Sequence, residues 1–364
     1  MDVSTGLPNL HTLYLYLTEG CNCACSHCWI VPEAGSARAG AARLETGVLR
    51  HAIEQALPLG LTSLKWTGGE PTLHPQFPEM LQMQGDFGLT GAVETNGMLV
   101  TLPLAELMRE TGVGQVSVSL DSSDAAIHDQ IRGVVGGFER TLQGIANLVS
   151  AGIRPELILT LQRANCAGLA DYFTLAEKLE ACSIKLNVMQ PVLRGGQLLS
   201  AGESLGVGEI LAIADGLPGQ LAEGCVFPIR LDLPLAFRPL SKVISGEHSG
   251  VCNIRNILGL LPRGEYALCG VGQHVAELSL GEARSASLAE VWASHPLLLK
   301  VRQELPERLT GICSRCLMKN VCMGSCVATN YQLSGDLLAP YWFCEQADTQ
   351  GLFPSSRRMP LRKK

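Results

Sequence analysis

The sequence predicts an α/β protein built on a parallel sheet, followed by a smaller cysteine-rich unit. Three observations carry this. Short apolar runs alternate with longer amphipathic stretches over the first two-thirds of the 364 residues. That alternation fades after about residue 220, where Gly and Pro recur. Seven of the 14 cysteines then fall between Cys252 and Cys344.

In chain order, the strand candidates are Thr12–Leu17, Thr62–Trp66, Ala92–Glu94, Gln115–Leu120, Glu156–Leu161 and Ile184–Met189. Leu44–Ala56, Leu102–Glu110, Phe138–Ala151 and Leu169–Glu180 have helical periodicity and lie between them. Strands alternating with helices predict βαβ units and a parallel sheet. Six such units suit an open barrel or a doubly wound sheet, and both place chemistry at the C-terminal ends of the strands. Most of these ends are unusual. The first runs into a cysteine loop, the second into Gly68-Gly69-Glu70-Pro71, and the third into Thr95-Asn96-Gly97. The fourth carries Ser119 and Asp121, and the sixth ends in Gln190-Pro191-Val192-Leu193-Arg194-Gly195-Gly196.

Composition narrows the class. At 46% hydrophobic and 17% charged, with mean hydropathy +0.19, the chain can bury a large core. The net charge of −6 is spread along it, so no basic footprint for nucleic acid is present. No run reaches the roughly 18 apolar residues of a membrane span. The N-terminus lacks the basic-then-apolar pattern of a secretion signal. These features predict a cytoplasmic protein, with no nucleic-acid or membrane partner. In a reducing compartment metal ligation is the leading explanation for so many thiols. The basic end, Arg357, Arg358, Arg362, Lys363 and Lys364, reads as a solvated tail.

Cys21, Cys25 and Cys28 form a C-x3-C-x2-C loop with Cys23 inside it. Three thiolates leave one iron of a four-iron cluster open to a small molecule. The competing reading is a zinc loop, which needs four closed ligands and would have to recruit Cys23 or His27. After the next strand, Gly68 and Gly69 allow close backbone approach. Glu70 there offers an anion to a ligand ammonium.

On these residues the chain resembles the radical S-adenosylmethionine (radical SAM) superfamily. The resemblance rests on Cys21, Cys25, Cys28 and Gly68–Pro71. It extends through Ser117–Asp121 and His128–Gly133, covering roughly residues 10–220. It implies a partial (β/α)6 TIM-like barrel and a [4Fe–4S] cluster that binds S-adenosylmethionine. It also implies a 5′-deoxyadenosyl radical that abstracts a substrate hydrogen, and a flavodoxin- or ferredoxin-type electron donor. By position, Gly68, Gly69, Glu70 and Pro71 would hold the methionine ammonium and Arg132 its carboxylate. Ser119 would meet the ribose, and His27 would lie near the adenine. Asn96 and Asp121 are further cofactor-side candidates. Local alternatives are an inward-facing Ser119 and an Arg132–Asp129 pair.

Cys252, Cys269, Cys313, Cys316, Cys322, Cys326 and Cys344 are similar in spacing to the SPASM extension of many members of that superfamily. Family resemblance implies two auxiliary [4Fe–4S] clusters, one on Cys313, Cys316, Cys322 and Cys344 and the other on Cys252, Cys269 and Cys326. The second set is one ligand short. Cys225 is the nearby candidate, and it reads equally as a thiol hydrogen donor in the active site or as a buried small residue. Cys166 and Cys182 read as core residues. The domains so defined are 1–220, the radical SAM core; 221–350, the auxiliary iron–sulfur unit; and 351–364, the basic tail.

Members with this extension act mostly on peptides and proteins. The resemblance therefore implies a maturase that crosslinks, epimerises or excises residues of a ribosomally made precursor peptide. About ten residues precede the first strand, so leader recognition is expected from a separate protein or from the barrel face itself. The alternatives are an anaerobic sulfatase-maturating, formylglycine-forming enzyme and a non-catalytic metal-binding scaffold. Gln162, Gln190 and Arg194 are candidates to line the cavity.

Overall fold

The computed structural model describes residues 7–30, 41–217, 227–244 and 252–360. Cys225 and the last four residues of the tail lie outside them. Six parallel strands come first: β1 Thr12–Tyr16, β2 Ser63–Thr67, β3 Thr90–Thr95, β4 Val113–Ser119, β5 Glu156–Leu161 and β6 Ser183–Val188. Helices connect them: α1 Thr46–Ala56, α2 Phe77–Asp86, α3 Leu102–Glu110, α4 Ala125–Arg132, α5 Gly137–Ser150 and α6 Leu169–Lys178. Helices α7 Leu193–Ser200 and α8 Val207–Gly216 follow β6. Local chemistry sets several boundaries. Thr101 caps α3 through Leu104 N–H, and Asp124 caps α4 through Ile127 N–H. Gly133, at φ 64°, ends α4 in the left-handed conformation.

Sequence periodicity left α2 and α4 unassigned. Helix α2 faces inward not only with Phe77, Met80, Leu81 and Met83 but also with a fully buried Gln84, which breaks the apolar stripe. Gln84 is satisfied where it lies. Its Oε1 accepts from Trp66 Nε1 at 2.6 Å, and its Nε2 donates to Thr111 O at 2.8 Å.

One face of the sheet packs against helices. Leu64 and Trp66 of β2, Val93 of β3, Val116 and Val118 of β4, and Ile184 and Leu186 of β6 lie in a single core with residues of α1, α2, α3, α5 and α6. Sheet order is β10-β9-β8-β1-β2-β3-β4-β5-β6-β7. The late strands are β7 Ile229–Leu231, β8 Ile257–Leu260, β9 Glu265–Ala267 and β10 Ser279–Glu282. β7 extends the sheet beyond β6. β8 lies parallel to β1 on the other side, pairing Thr12 with Ile257. The cysteine-rich segment is thus joined to the core through a common sheet.

Candidate functional site

β1 delivers the chain to the cysteine loop. Thr18 Oγ1 accepts from Gly20 N–H at 3.0 Å, and Ala24 N–H and Ser26 N–H donate to Arg132 O and Ile131 O, both at 2.9 Å. The loop is therefore stitched to the end of α4. Cys21, Cys23 and Cys25 are buried and Cys28 is half-buried. Arg132 Nη1 donates to Cys25 Sγ at 3.7 Å, and Arg194 Nη1 to Cys25 O at 3.2 Å. A hydrogen bond from Cys23, aided by the positive charges of Arg132 and His27, lowers the Cys25 thiol to about 5. The thiolate is the form that ligates iron. Cys23, which the triad leaves over, lies against both Cys21 and Cys25, and its own thiol is pushed up by them.

The glycines after β2 serve the chain's own close approach. Gly69 N–H donates to Thr18 O at 2.8 Å and Glu70 N–H to Gly20 O at 2.9 Å. A Cβ on Gly69 would stand 2.0 Å from Gly20 O, and one on Gly68, whose φ is 131°, would stand 2.9 Å from Leu17 N. The Glu70 carboxylate is likewise occupied. Its Oε1 accepts from Thr72 N–H (3.2 Å), Thr72 Oγ1 (2.6 Å) and Thr95 Oγ1 (2.6 Å), and its Oε2 from Asn96 N–H (2.8 Å). Burial raises its pKa while these donors pull it back. Glu70 thus knots the end of β2 to the end of β3. Pro71 is buried and opens a single 3-10 turn. Asn96 extends the knot, its Nδ2 donating to Asn22 Oδ1 at 2.7 Å in the cysteine loop.

After β4, Asp121 is fully buried. It pairs with Arg132 Nε at 2.8 Å, accepts from Thr160 N–H at 2.9 Å, and lies 4.0 Å from His27 Nε2. Asp129 does not take Arg132. It accepts instead from Gly136 N–H at 2.6 Å and Phe138 N–H at 2.8 Å. Arg132 Nε and Asp121 Oδ2 are close but poorly aligned, and neither completes a hydrogen bond. They remain a buried ion pair at 2.8 Å, which sets a charge-balanced guanidinium beside Cys25. Ser119 is half-buried, and its hydroxyl makes no hydrogen bond among the described residues. Gln162 holds the loop from the fifth strand end: Ser26 Oγ donates to its Oε1 at 3.2 Å, and its Nε2 lies 2.8 Å from His27 Nδ1. Gln190 turns toward the C-terminal part, within 3.0 Å of Tyr341 Oη and 3.2 Å of Trp342 Nε1.

The seven later thiols gather into two groups. Cys313, Cys316, Cys322 and Cys344 line one void with Leu309, Tyr341 and Phe353. Cys344 shares a hydrogen bond with Cys313 that lowers the Cys313 thiol and raises its own. Cys252, Cys269 and Cys326 form the other group. Burial comes first and the Cys326 charge second in pushing Cys252 up and Cys269 up to about 12. Thr329 Oγ1 donates to Cys326 Sγ at 3.2 Å. Four thiols around a hollow are a donor set that a cluster or a closed four-coordinate ion could use. Among the described residues, no three His, Cys, Asp or Glu side chains converge on a single-ion position. Cys182, expected in the core, is exposed: its N–H donates to Pro155 O at 2.9 Å, and its Sγ lies at the surface 3.8 Å from Ser183 Oγ.

Comparisons with known proteins agree with this geometry. The family described as the Radical SAM superfamily matches residues 15–162. An AdoMet-dependent heme synthase of Methanosarcina barkeri is 29% identical over 90% of this chain and 94% of its own. The mycofactocin maturase MftC of Mycobacterium tuberculosis is 25% identical, with 94% and 85% covered. Among solved structures, Streptococcus suis SuiB bound to S-adenosylmethionine superposes with a TM-score of 0.71 at 14% identity, covering 94% of this chain and 79% of that one. Residues 15–162 are a radical SAM domain, and the chain is an enzyme.

Proposed function

We propose that this enzyme matures a ribosomally made peptide, with Cys21, Cys25 and Cys28 holding the [4Fe–4S] cluster of its core. The observation that carries the reading is the grouping of the seven downstream thiols into a four and a three, docked on the same sheet. On this reading they hold two auxiliary clusters. When bound, the core cluster and S-adenosylmethionine supply a 5′-deoxyadenosyl radical that removes a hydrogen atom from the substrate.

The chain's own residues do the positioning. Arg132 and Gln162 fix the cysteine loop, Glu70 and Asn96 brace it from β3, and Ser119 is left free toward the ribose. The Gln190–Tyr341–Trp342 contact seats the auxiliary unit against the barrel rim. A relative named as a peptide maturase, matched along 94% of this chain, supports a peptide substrate. The scaffold alternative falls with the radical SAM domain at residues 15–162. A formylglycine-forming reaction would need an unengaged carboxylate, whereas Glu94 and Glu156 on the inner face pair with Lys65 and Arg230.

A second reading, a porphyrin-modifying enzyme, is favoured by the 29% identity to the heme synthase. One experiment separates the two. Anaerobically reconstituted enzyme, dithionite and S-adenosylmethionine are incubated with the product of any short reading frame flanking the gene or with iron coproporphyrin III. A mass change confined to the peptide supports maturation, and one confined to the porphyrin replaces it with the second reading.

A further inference from the structure

The strands of a parallel sheet usually read as apolar runs because both faces are buried, and the interior of a closed barrel is a packed core. This sheet departs from that rule. β2 alternates Ser63, Lys65 and Thr67 with Leu64 and Trp66. β6 alternates Ser183, Lys185 and Asn187 with Ile184, Leu186 and Val188. The apolar set packs on the helices, so the polar set lines the opposite face. That face carries Lys65, Glu94, Glu156, Lys185 and Arg230. Five ionisable groups are tolerated there only if water or a ligand fills the space.

Four of the five are paired. Lys65 Nζ lies 2.7 Å from Glu94 Oε1 and 5.1 Å from the centre of the Tyr14 ring. Glu156 takes Arg230 and also accepts from Gln115, Ser117 and Ser183. Lys185 is half-buried and, among the described residues, has no carboxylate within 4.0 Å and no hydrogen bond from its ammonium. Three cations share this face with two carboxylates, and Lys185, whose charge reaches Glu94 only at a distance, is the cation with no contact partner among the described residues.

Register fixes where that charge stands. Ser119 pairs with Ile158, Ile158 with Lys185, and Lys185 with Arg230. These residues form one row across four strands. At about 4.8 Å per strand, Lys185 stands roughly 10 Å along the sheet from Ser119. A group held by Lys185 would therefore lie deep in the lumen, at the level of the cofactor site.

We propose that Lys185, flanked by Arg230, is a specificity-determining residue that binds a carboxylate of the substrate. The proposal deepens the reading above and names the substrate class by chemistry, an acidic side chain of a peptide or a propionate of a porphyrin. It rests on the lumen being the substrate chamber of that same site. A lone ammonium in a partly desolvated chamber attracts an anion far more strongly than one in bulk water.

The test measures binding to the reconstituted holoenzyme with two matched pairs of probes. One is iron coproporphyrin III and its tetramethyl ester, followed by absorbance. The other is a labelled 15-residue Gly/Ser peptide with three Glu and its three-Gln twin, followed by anisotropy. The wild type is expected to prefer the acid member of at least one pair by tenfold or more. Lys185→Ala is expected to lose that preference and Lys185→Arg to restore it, with iron content and melting temperature reporting on folding. Equal binding of acid and neutral probes, no binding of any acid probe, or an unchanged preference in Lys185→Ala would overturn the site. Lys185-dependent binding of the porphyrin but not the peptide keeps the carboxylate site and removes the peptide reading. Peptide binding indifferent to Glu or Gln, with no acid preference in the porphyrin pair either, keeps the peptide reading and removes the site.

Discussion

His128 shows how one buried residue supports the site from behind. Its Nδ1 accepts from Asp121 N–H at 3.1 Å, and its ring stands edge-on to Phe138 at 5.7 Å. Burial, then the Arg132 charge, lowers its pKa to about 4. The unfolded chain would protonate this histidine near 6.5, so between about 6.5 and 4 the unfolded state binds the extra proton. Stability is therefore full above 6.5 and is lost as pH falls toward 4, by about 3 kcal/mol at most. Melting temperature measured from pH 7 to 5 should fall. His128→Gln, which can still accept the Asp121 bond but does not titrate, should flatten part of that slope. An identical slope in the variant would assign the acid sensitivity elsewhere. At this scale the sequence was partly legible. It marked Glu70, Asn96, Asp121 and Arg132 as special, yet three of them spend their side chains on one another's backbone or loop. Which polar group meets which is decided by side chains converging from separate strands, and spacing does not encode that.

Between elements, the critical joint is the end of β2 against the cysteine loop. Gly69 is there because no side chain fits, since its Cβ would overlap Gly20 O. Gly69→Ala must push the loop away from β2 and spread the thiols. The expected result is loss of the core cluster, about four iron per chain, together with 5′-deoxyadenosine release. Retention of both would show that the loop can shift without cost. The first six strands were readable because each joins a helix of clear period within a short stretch. β7 to β10 were not, being three or four residues long, too short for alternation to register. β8 reads Ile-Leu-Gly-Leu and is wholly buried. Its neighbours, parallel β1 and antiparallel β9, make it a strand.

Across the whole molecule, the barrel and the cysteine-rich segment are one continuous structure, because β8 and β7 close on β1 and β6. Asn256 Nδ2 donates to Asn9 O at 2.8 Å, joining residues 247 apart. On the proposed reading, an auxiliary centre held in this way would serve the substrate half of the reaction while the core works independently. Cys313→Ala should therefore lose about four iron and give no mature product, yet still release 5′-deoxyadenosine. Wild-type product yield from that variant would show that its centre has no part in the chemistry.

The sequence by itself located the cysteine loop, the six-fold strand and helix alternation and the existence of a second thiol set. All three are written in local spacing, which survives without tertiary structure. Resemblance to the family supplied the division of those thiols into four and three. Tertiary structure alone decided that Glu70 braces the chain, that Arg132 pairs with Asp121, and that Lys185 stands unpaired in the row of Ser119. Each of these depends on the register between strands and on burial, which bring together residues far apart in sequence.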